Sequence, residues 1–161
     1  MRIAVTTPTG NVGQHVVPLL IRAGIRPTVL VRDPARLDPA LRDWVDAVAV
    51  DQGDDDAVLA ATAGVDALYW VNPSNFADDP VAEYARVGGI AARAITENNI
   101  SRVVFQSSVG AEKRHCAGGV LQPCLESVPI AVRKVPGGSS CDRSRNTNRW
   151  LWASYSAFSE C

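Results

Sequence analysis

The residues best suited to chemistry in this chain lie at its start. Thr6-Thr7-Pro8-Thr9-Gly10-Asn11-Val12-Gly13 follows the short apolar run Met1-Arg2-Ile3-Ala4-Val5 and leads into an amphipathic segment that begins near Asn11. Small residues at such a turn let the backbone approach a phosphate, while the free N–H groups and dipole of the following helix stabilise its negative charge. The glycines sit after a strand and at a helix start, and that context raises the pattern above a chance match. Thr6, Thr9, Gly10, Asn11, Val12 and Gly13 are therefore candidate ligands for a dinucleotide pyrophosphate. The plainer reading is that Gly10 and Gly13 only shape a strand-to-helix turn.

Two further groups fall where such a ligand would extend. Arg32 stands at the end of the second apolar run, where an NAD-specific protein often keeps an acid against the ribose 2′-hydroxyl, roughly twenty residues past the glycines. A guanidinium at that point pairs with a 2′-phosphate, which predicts NADP(H) in preference to NAD(H). Asp33 follows as a competing reading, but Pro34 marks it as a turn residue, and Arg36 is positioned to assist. Arg32 as an ordinary surface charge is the alternative. Asn72 and Pro73 end the fourth strand at the carboxyl edge of the sheet, the crevice where ligands bind in open α/β sheets. Asn72 either hydrogen-bonds the ribose or nicotinamide side or simply terminates the strand, as Asn-Pro pairs do.

The elements that must position these residues alternate between short β-rich runs and helical periods, the signature of an α/β domain. Strands are expected at Arg2–Thr7, Pro27–Arg32, Val45–Val50, Ala67–Asn72 and Arg102–Ser107. A helix over Asn11–Ala23 puts Val12, Val16, Leu19 and Leu20 on one face and stops at Gly24; Pro18 inside it should bend it or loosen a turn. A short helix is expected around Ala40–Trp44, another over Asp54–Ala63 behind three aspartates, and a long one over Pro80–Asn98. Right-handed crossovers then give a doubly wound parallel sheet of strand order 3-2-1-4-5.

Composition limits what this site serves. With 161 residues and 47% hydrophobic residues the chain suits one domain of ordinary size rather than two. A net charge of -1 with no basic stripe gives no reason to expect nucleic acid, and no stretch approaches membrane-spanning length. A cytoplasmic protein is the default expectation, the first apolar run being too short for a signal peptide.

The runs Thr6–Val17, Thr28–Arg36, Asp51-Gln52-Gly53-Asp54 and Gly64–Leu68, followed by Arg102–Ala111, resemble in their order an NmrA-like protein, an atypical member of the short-chain dehydrogenase/reductase superfamily. The resemblance covers roughly residues 1–115 and implies an NADP(H)-binding Rossmann fold. Some such proteins reduce quinones or similar small molecules, and others only sense the cofactor. It further implies that Asp51 lies near the adenine edge, with a solvated loop aspartate as the alternative. Ser107 stands where the wider superfamily keeps its catalytic serine. The partner motif Tyr-x-x-x-Lys is absent, but a lysine after strand five serves as acid or base in some relatives, which nominates Lys113; a solvated Glu-Lys-Arg-His segment is the competing view. The family's first motif glycine is replaced by Thr7, and a β-branched residue resists positive φ, so the turn runs through a conformation open to threonine or carries strain.

After His115 the sequence changes character. All four cysteines, Cys116, Cys124, Cys141 and Cys161, fall there, with no CxxC pair for zinc, so no metal site is expected. Residues 1–115 are thus expected to form the cofactor domain and 116–161 an irregular tail, for which a shifted reading frame is the favoured explanation. The alternatives are a small module stapled by the cysteines, against which a cytoplasmic setting argues, and a flexible extension whose aromatic end docks on a protein partner. Two functions stay open: an NADP(H)-dependent oxidoreductase acting on a small-molecule substrate such as a quinone, or what remains of one, and a noncatalytic NADP-sensing module with a protein partner.

Overall fold

Short β-rich runs, with helices packed on both faces of the sheet they form, build a three-layer domain. A computed structural model of the chain describes residues 1–73 and 78–106. Strands β1 (Ile3–Thr6), β2 (Thr28–Val31), β3 (Asp46–Ala49), β4 (Ala67–Trp70) and β5 (Arg102–Phe105) form one parallel sheet in the order β3-β2-β1-β4-β5. The predicted class and strand order are those observed. Each strand is two residues shorter than the apolar pattern suggests, because ladder pairing stops before the chain turns into its loop; the expected end of the fifth strand, Ser107, lies outside the described residues.

The register fixes two faces. Val5 pairs with Val29 on one side and Tyr69 on the other, and these residues turn toward helix α1 (Gly13–Arg22). Ile3, Val5, Val29 and Val31 bury against Val17 of α1 and against Leu37 and Val45. The alternate residues Ala4, Leu30, Leu68, Trp70 and Phe105 face α3 (Asp55–Ala61) and α4 (Pro80–Glu97), packing on Val58, Val87, Ile90, Ala94 and Ile95. Full burial of each large aliphatic side chain contributes about 1.5–3 kcal/mol. Trp70 is wholly buried, and its indole Nε1 donates to Asn72 Oδ1 at 2.6 Å, which satisfies the one polar atom it takes into the core.

Aspartates set the helix starts. Asp33, Asp38, Asp54 and Asp79 each accept a backbone N–H of the first turn that follows: Ala35, Ala40, Ala57 and Ala82 respectively. In three of these places proline comes next, pre-set for the first helical position: a 3₁₀ turn over Pro34–Arg36, helix α2 (Pro39–Arg42) and α4. The short helix expected at Ala40–Trp44 therefore begins one residue earlier and ends two earlier, and the 3₁₀ turn before it was not anticipated. Helix α1 runs uninterrupted through Pro18, which removes one N–H without breaking the segment that Val17 anchors.

Candidate functional site

All strands run in the same direction, so the loops that follow β1, β2, β3 and β4 meet at one edge of the sheet. That edge carries the turn after β1, Arg32, Asp51, and Asn72 with Pro73. The strand order reverses between β2 and β4 on either side of β1, and the crevice of an open α/β sheet forms at that reversal.

The turn after β1 is built on close backbone approach. Gly10 N donates to Thr7 O at 3.0 Å, and Gln14 N donates to Gly10 O at 3.0 Å. A Cβ on Gly13 would lie 2.2 Å from Thr7 O, 2.8 Å from Pro8 Cα and 2.9 Å from Thr7 C, so only glycine lets the start of α1 sit on the turn. Thr7 has φ +46°, the left-handed region, at a cost of about 1–3 kcal/mol for a β-branched residue. The choice left open by the sequence is thereby decided: the threonine carries the strain.

Helix α1 begins differently from those that aspartate caps. Its N-cap is Val12, with no side-chain cap hydrogen bond and no acid in the first turn. Among the described residues the N–H groups of Asn11, Val12 and Gly13 meet no backbone acceptor. Thr9 and Asn11 are exposed and Gly10 and Val12 half-exposed, so the donors of Asn11 and Val12 lie open to an anion, while Gly13 is buried behind them. The residues present fit a pyrophosphate: an open cradle with no side chain at Gly10, uncapped donors and no opposing carboxylate in the turn.

Thr6 sits differently from its neighbours. It is fully buried, its hydroxyl accepts from Val71 N at 2.9 Å and faces Tyr69 O at 3.3 Å, so its side chain latches β1 to the end of β4. On the other side of Val71, the buried Gln52 donates from Nε2 to Val71 O at 3.1 Å. Gln52 was not singled out in the sequence; the signal available was a large amide between Asp51 and Gly53 in a loop otherwise made of small and acidic residues.

Arg32 follows β2 directly, is exposed, and has no ion-pair or hydrogen-bond partner among the described residues. Asp33 is taken up in capping Ala35 at 2.9 Å, as a turn residue. Arg36 likewise is exposed without a described partner. The segment bearing them is fastened by Arg42, which donates to Ala35 O at 2.7 Å and to Leu37 O at 3.2 Å and 3.1 Å. This is a role that the sequence reading missed.

Asp51 is exposed after β3, and its Oδ1 accepts from Gly53 N at 2.8 Å. Arg86 of α4 holds the same turn by donating to Gly53 O at 2.9 Å, while the carboxylate of Glu83 grips the guanidinium through two bonds of 2.8 Å and 2.7 Å. That pairing lowers the Glu83 pKa below the usual carboxylate range. Asn72 uses its side chain inside the protein, accepting from Trp70 and donating to Tyr84 O at 3.4 Å. Pro73 is half-exposed beside it. On the α1 side of the sheet the Tyr69 hydroxyl donates to Gln106 Oε1, and burial raises the phenol's pKa. Ser107 and Lys113 lie outside the described residues. Among the described residues no group of His, Cys, Asp or Glu is arranged to hold a metal ion, and no helix is long and apolar enough to cross a membrane.

The model of the NAD(P)H-binding family matches residues 8–126, most of the chain. The chain belongs to the NAD(P)H-binding family. This agrees with the resemblance to NmrA-like, atypical short-chain dehydrogenase/reductases drawn from the motifs. Among solved structures, this family member is similar to the triphenylmethane reductase of Citrobacter sp. complexed with NADP(H), at 20% identity, TM-score 0.69, over 84% of this chain and 46% of that one. It is also similar to an NADPH-dependent quinone oxidoreductase from Escherichia coli complexed with NADPH, at 23% identity, TM-score 0.64, over 78% and 42%. A nucleoside-diphosphate-sugar epimerase from Staphylococcus aureus matches at 20% identity, TM-score 0.60, over 67% and 38%. This chain thus spans less than half the length of each of these three structures. At these identities the likeness establishes the Rossmann-type fold. No curated protein matches the chain.

Proposed function

We propose that this NAD(P)H-binding protein takes NADP(H) in preference to NAD(H) and belongs to an oxidoreductase acting on a small molecule such as a quinone. The observation that carries the cofactor preference is the pair of exposed cations Arg32 and Arg36, free of described partners, beside an Asp33 whose carboxylate is already occupied by Ala35 N. A guanidinium there binds a 2′-phosphate through charge-assisted bonds, and Asp33, the competing acid, has one carboxylate oxygen tied to Ala35 N.

The pyrophosphate then lies against the N–H groups of Asn11, Val12 and Gly13, with Thr9 at its rim, and the adenine end reaches toward Asp51. Asn72 and Pro73 border the nicotinamide end of the crevice, where the backbone rather than the occupied amide of Asn72 faces the ligand. When bound, the reduced dinucleotide supplies a hydride. The chain supplies orientation and, in this reading, a proton held by Lys113, with Ser107 nearby in sequence.

Parallel calorimetric titration with NADPH and NADH tests the preference. NADPH is expected to bind at least about tenfold more tightly, and equal affinities sink the assignment of Arg32. Quinone-dependent oxidation of NADPH tests the reaction. Turnover that Lys113→Ala removes supports the enzyme, whereas binding with no turnover favours a module that reports cofactor state to a partner.

A further inference from the structure

Thr7 occupies a backbone conformation that glycine would adopt without strain, and its side chain fronts the cradle. Its φ of +46° is unfavourable for a β-branched residue, and Pro8 further restricts the residue before it. The conformation is held from several sides: Thr6 is latched to β4, Pro8 is buried, Gly10 N donates to Thr7 O at 3.0 Å, and Gly13 packs against the same carbonyl. With the backbone fixed and χ1 stiff, the direction of the hydroxyl is narrowly defined.

That direction is toward the space that Gly10 leaves open. A Cβ built on Gly10 would lie 3.7 Å from Thr7 Cβ and 3.9 Å from Thr7 Oγ1, so the hydroxyl borders the gap where a ligand approaches the backbone. Thr7 is half-exposed, and its hydroxyl has no partner among the described residues. The donors of Asn11, Val12 and Gly13 belong to the same turn.

We propose that the Thr7 hydroxyl is a direct ligand of the cofactor pyrophosphate, donating to a phosphoryl oxygen and adding a contact that a glycine at this position lacks. The inference rests on the cofactor reading above and deepens it: the turn binds phosphate through a side chain as well as through backbone N–H groups. An O–H donor to an anionic oxygen belongs to the stronger class of hydrogen bonds, so its loss is large enough to read.

The test is calorimetric titration of the full chain with NADPH for the unaltered protein, Thr7→Val and Thr7→Ser, with circular dichroism on each. Valine keeps the β-branched shape and removes the hydroxyl; serine keeps the hydroxyl and removes the branch. The expected result is at least about a tenfold loss of affinity in Thr7→Val, most of it restored in Thr7→Ser. Affinity unchanged in Thr7→Val, or lost equally in both, overturns the role of the hydroxyl while leaving the cofactor reading intact. Absence of NADPH binding by the unaltered chain overturns both. Should Thr7→Val fail to fold, Thr7→Gly replaces it: relieved of strain, it is expected to melt higher yet bind NADPH more weakly, and binding as tight as the unaltered chain's refutes the proposal.

Discussion

Gly13→Ala is the substitution that most directly tests how the turn is built. The added methyl would sit 2.2 Å from Thr7 O, whereas carbon and carbonyl oxygen approach no closer than about 3.3 Å, so a separation of about 1 Å must be opened. The other near atoms, Pro8 Cα at 2.8 Å and Thr7 C at 2.9 Å, are also backbone, so no side chain can rotate away. Either α1 lifts from the sheet, loosening Val17 against Val5 and Val29, or the turn unwinds. Overpacking of this kind costs about 1–3 kcal/mol, toward the upper end here, and the helix-propensity gain of alanine, under about 1 kcal/mol, does not offset it. The melting temperature is expected to fall by roughly 5–10 °C. NADPH affinity should fall with it, because the uncapped N–H groups move with α1. Gly89→Ala is the internal control: in α4 a Cβ there meets nothing within 4 Å, so the same change should raise stability by roughly 0.5–1 kcal/mol. If differential scanning calorimetry finds both variants stabilised, the close approach of α1 to the turn is refuted.

Other perturbations follow from the same geometry. Thr6→Val keeps the shape and removes the hydroxyl, leaving Val71 N–H without its acceptor, and urea denaturation should register a loss of about 1–3 kcal/mol. Arg32→Ala should weaken NADPH binding about tenfold while leaving NADH nearly unchanged, with the difference shrinking at high salt; calorimetry at two salt concentrations reads both. Burial favours the neutral form of Tyr69, so the folded pKa lies above the unfolded value of about 10. The stability this gives is fully present below pH about 10 and lost as pH rises through the folded pKa; the urea midpoint should drop over that window, and the drop should be smaller in Tyr69→Phe.

Much of this was readable from residues alone, because the physics involved is local. Short apolar runs such as Ala67–Trp70 mark strands, their alternation with helical periods and right-handed crossovers give a parallel sheet covered on both faces, and the glycine turn after the first strand points to the order 3-2-1-4-5. The glycines at 10 and 13 likewise report a backbone approach that any larger residue forbids. What escaped the sequence are the particular partners that side chains take, whether near or far along the chain. Thr6 looked like a motif residue but turns inward to Val71, and Asn72 commits its amide to Trp70 and Tyr84. Gln52 and Arg42 hold loops through carbonyl groups, which no periodicity records. The 3₁₀ turn at Pro34–Arg36 was within reach, since Asp33-Pro34 repeats the Asp-Pro start of α2 and α4. A capping aspartate followed by proline is in this chain a more dependable mark of a helix start than an apolar face.

Val71 leaves β4 with its N–H held by a hydroxyl from β1 and its carbonyl held by an amide from the loop after β3. Strand pairing ends one residue earlier, at Trp70. Two rotamer changes, at Thr6 and Gln52, would therefore release the floor of the crevice without rupturing any ladder bond between β1 and β4. Motion at this point is decoupled from unfolding of the sheet, and the Val71 amide should exchange with solvent deuterium much faster than those of Leu68 or Val5, whose protection depends on opening the strands themselves.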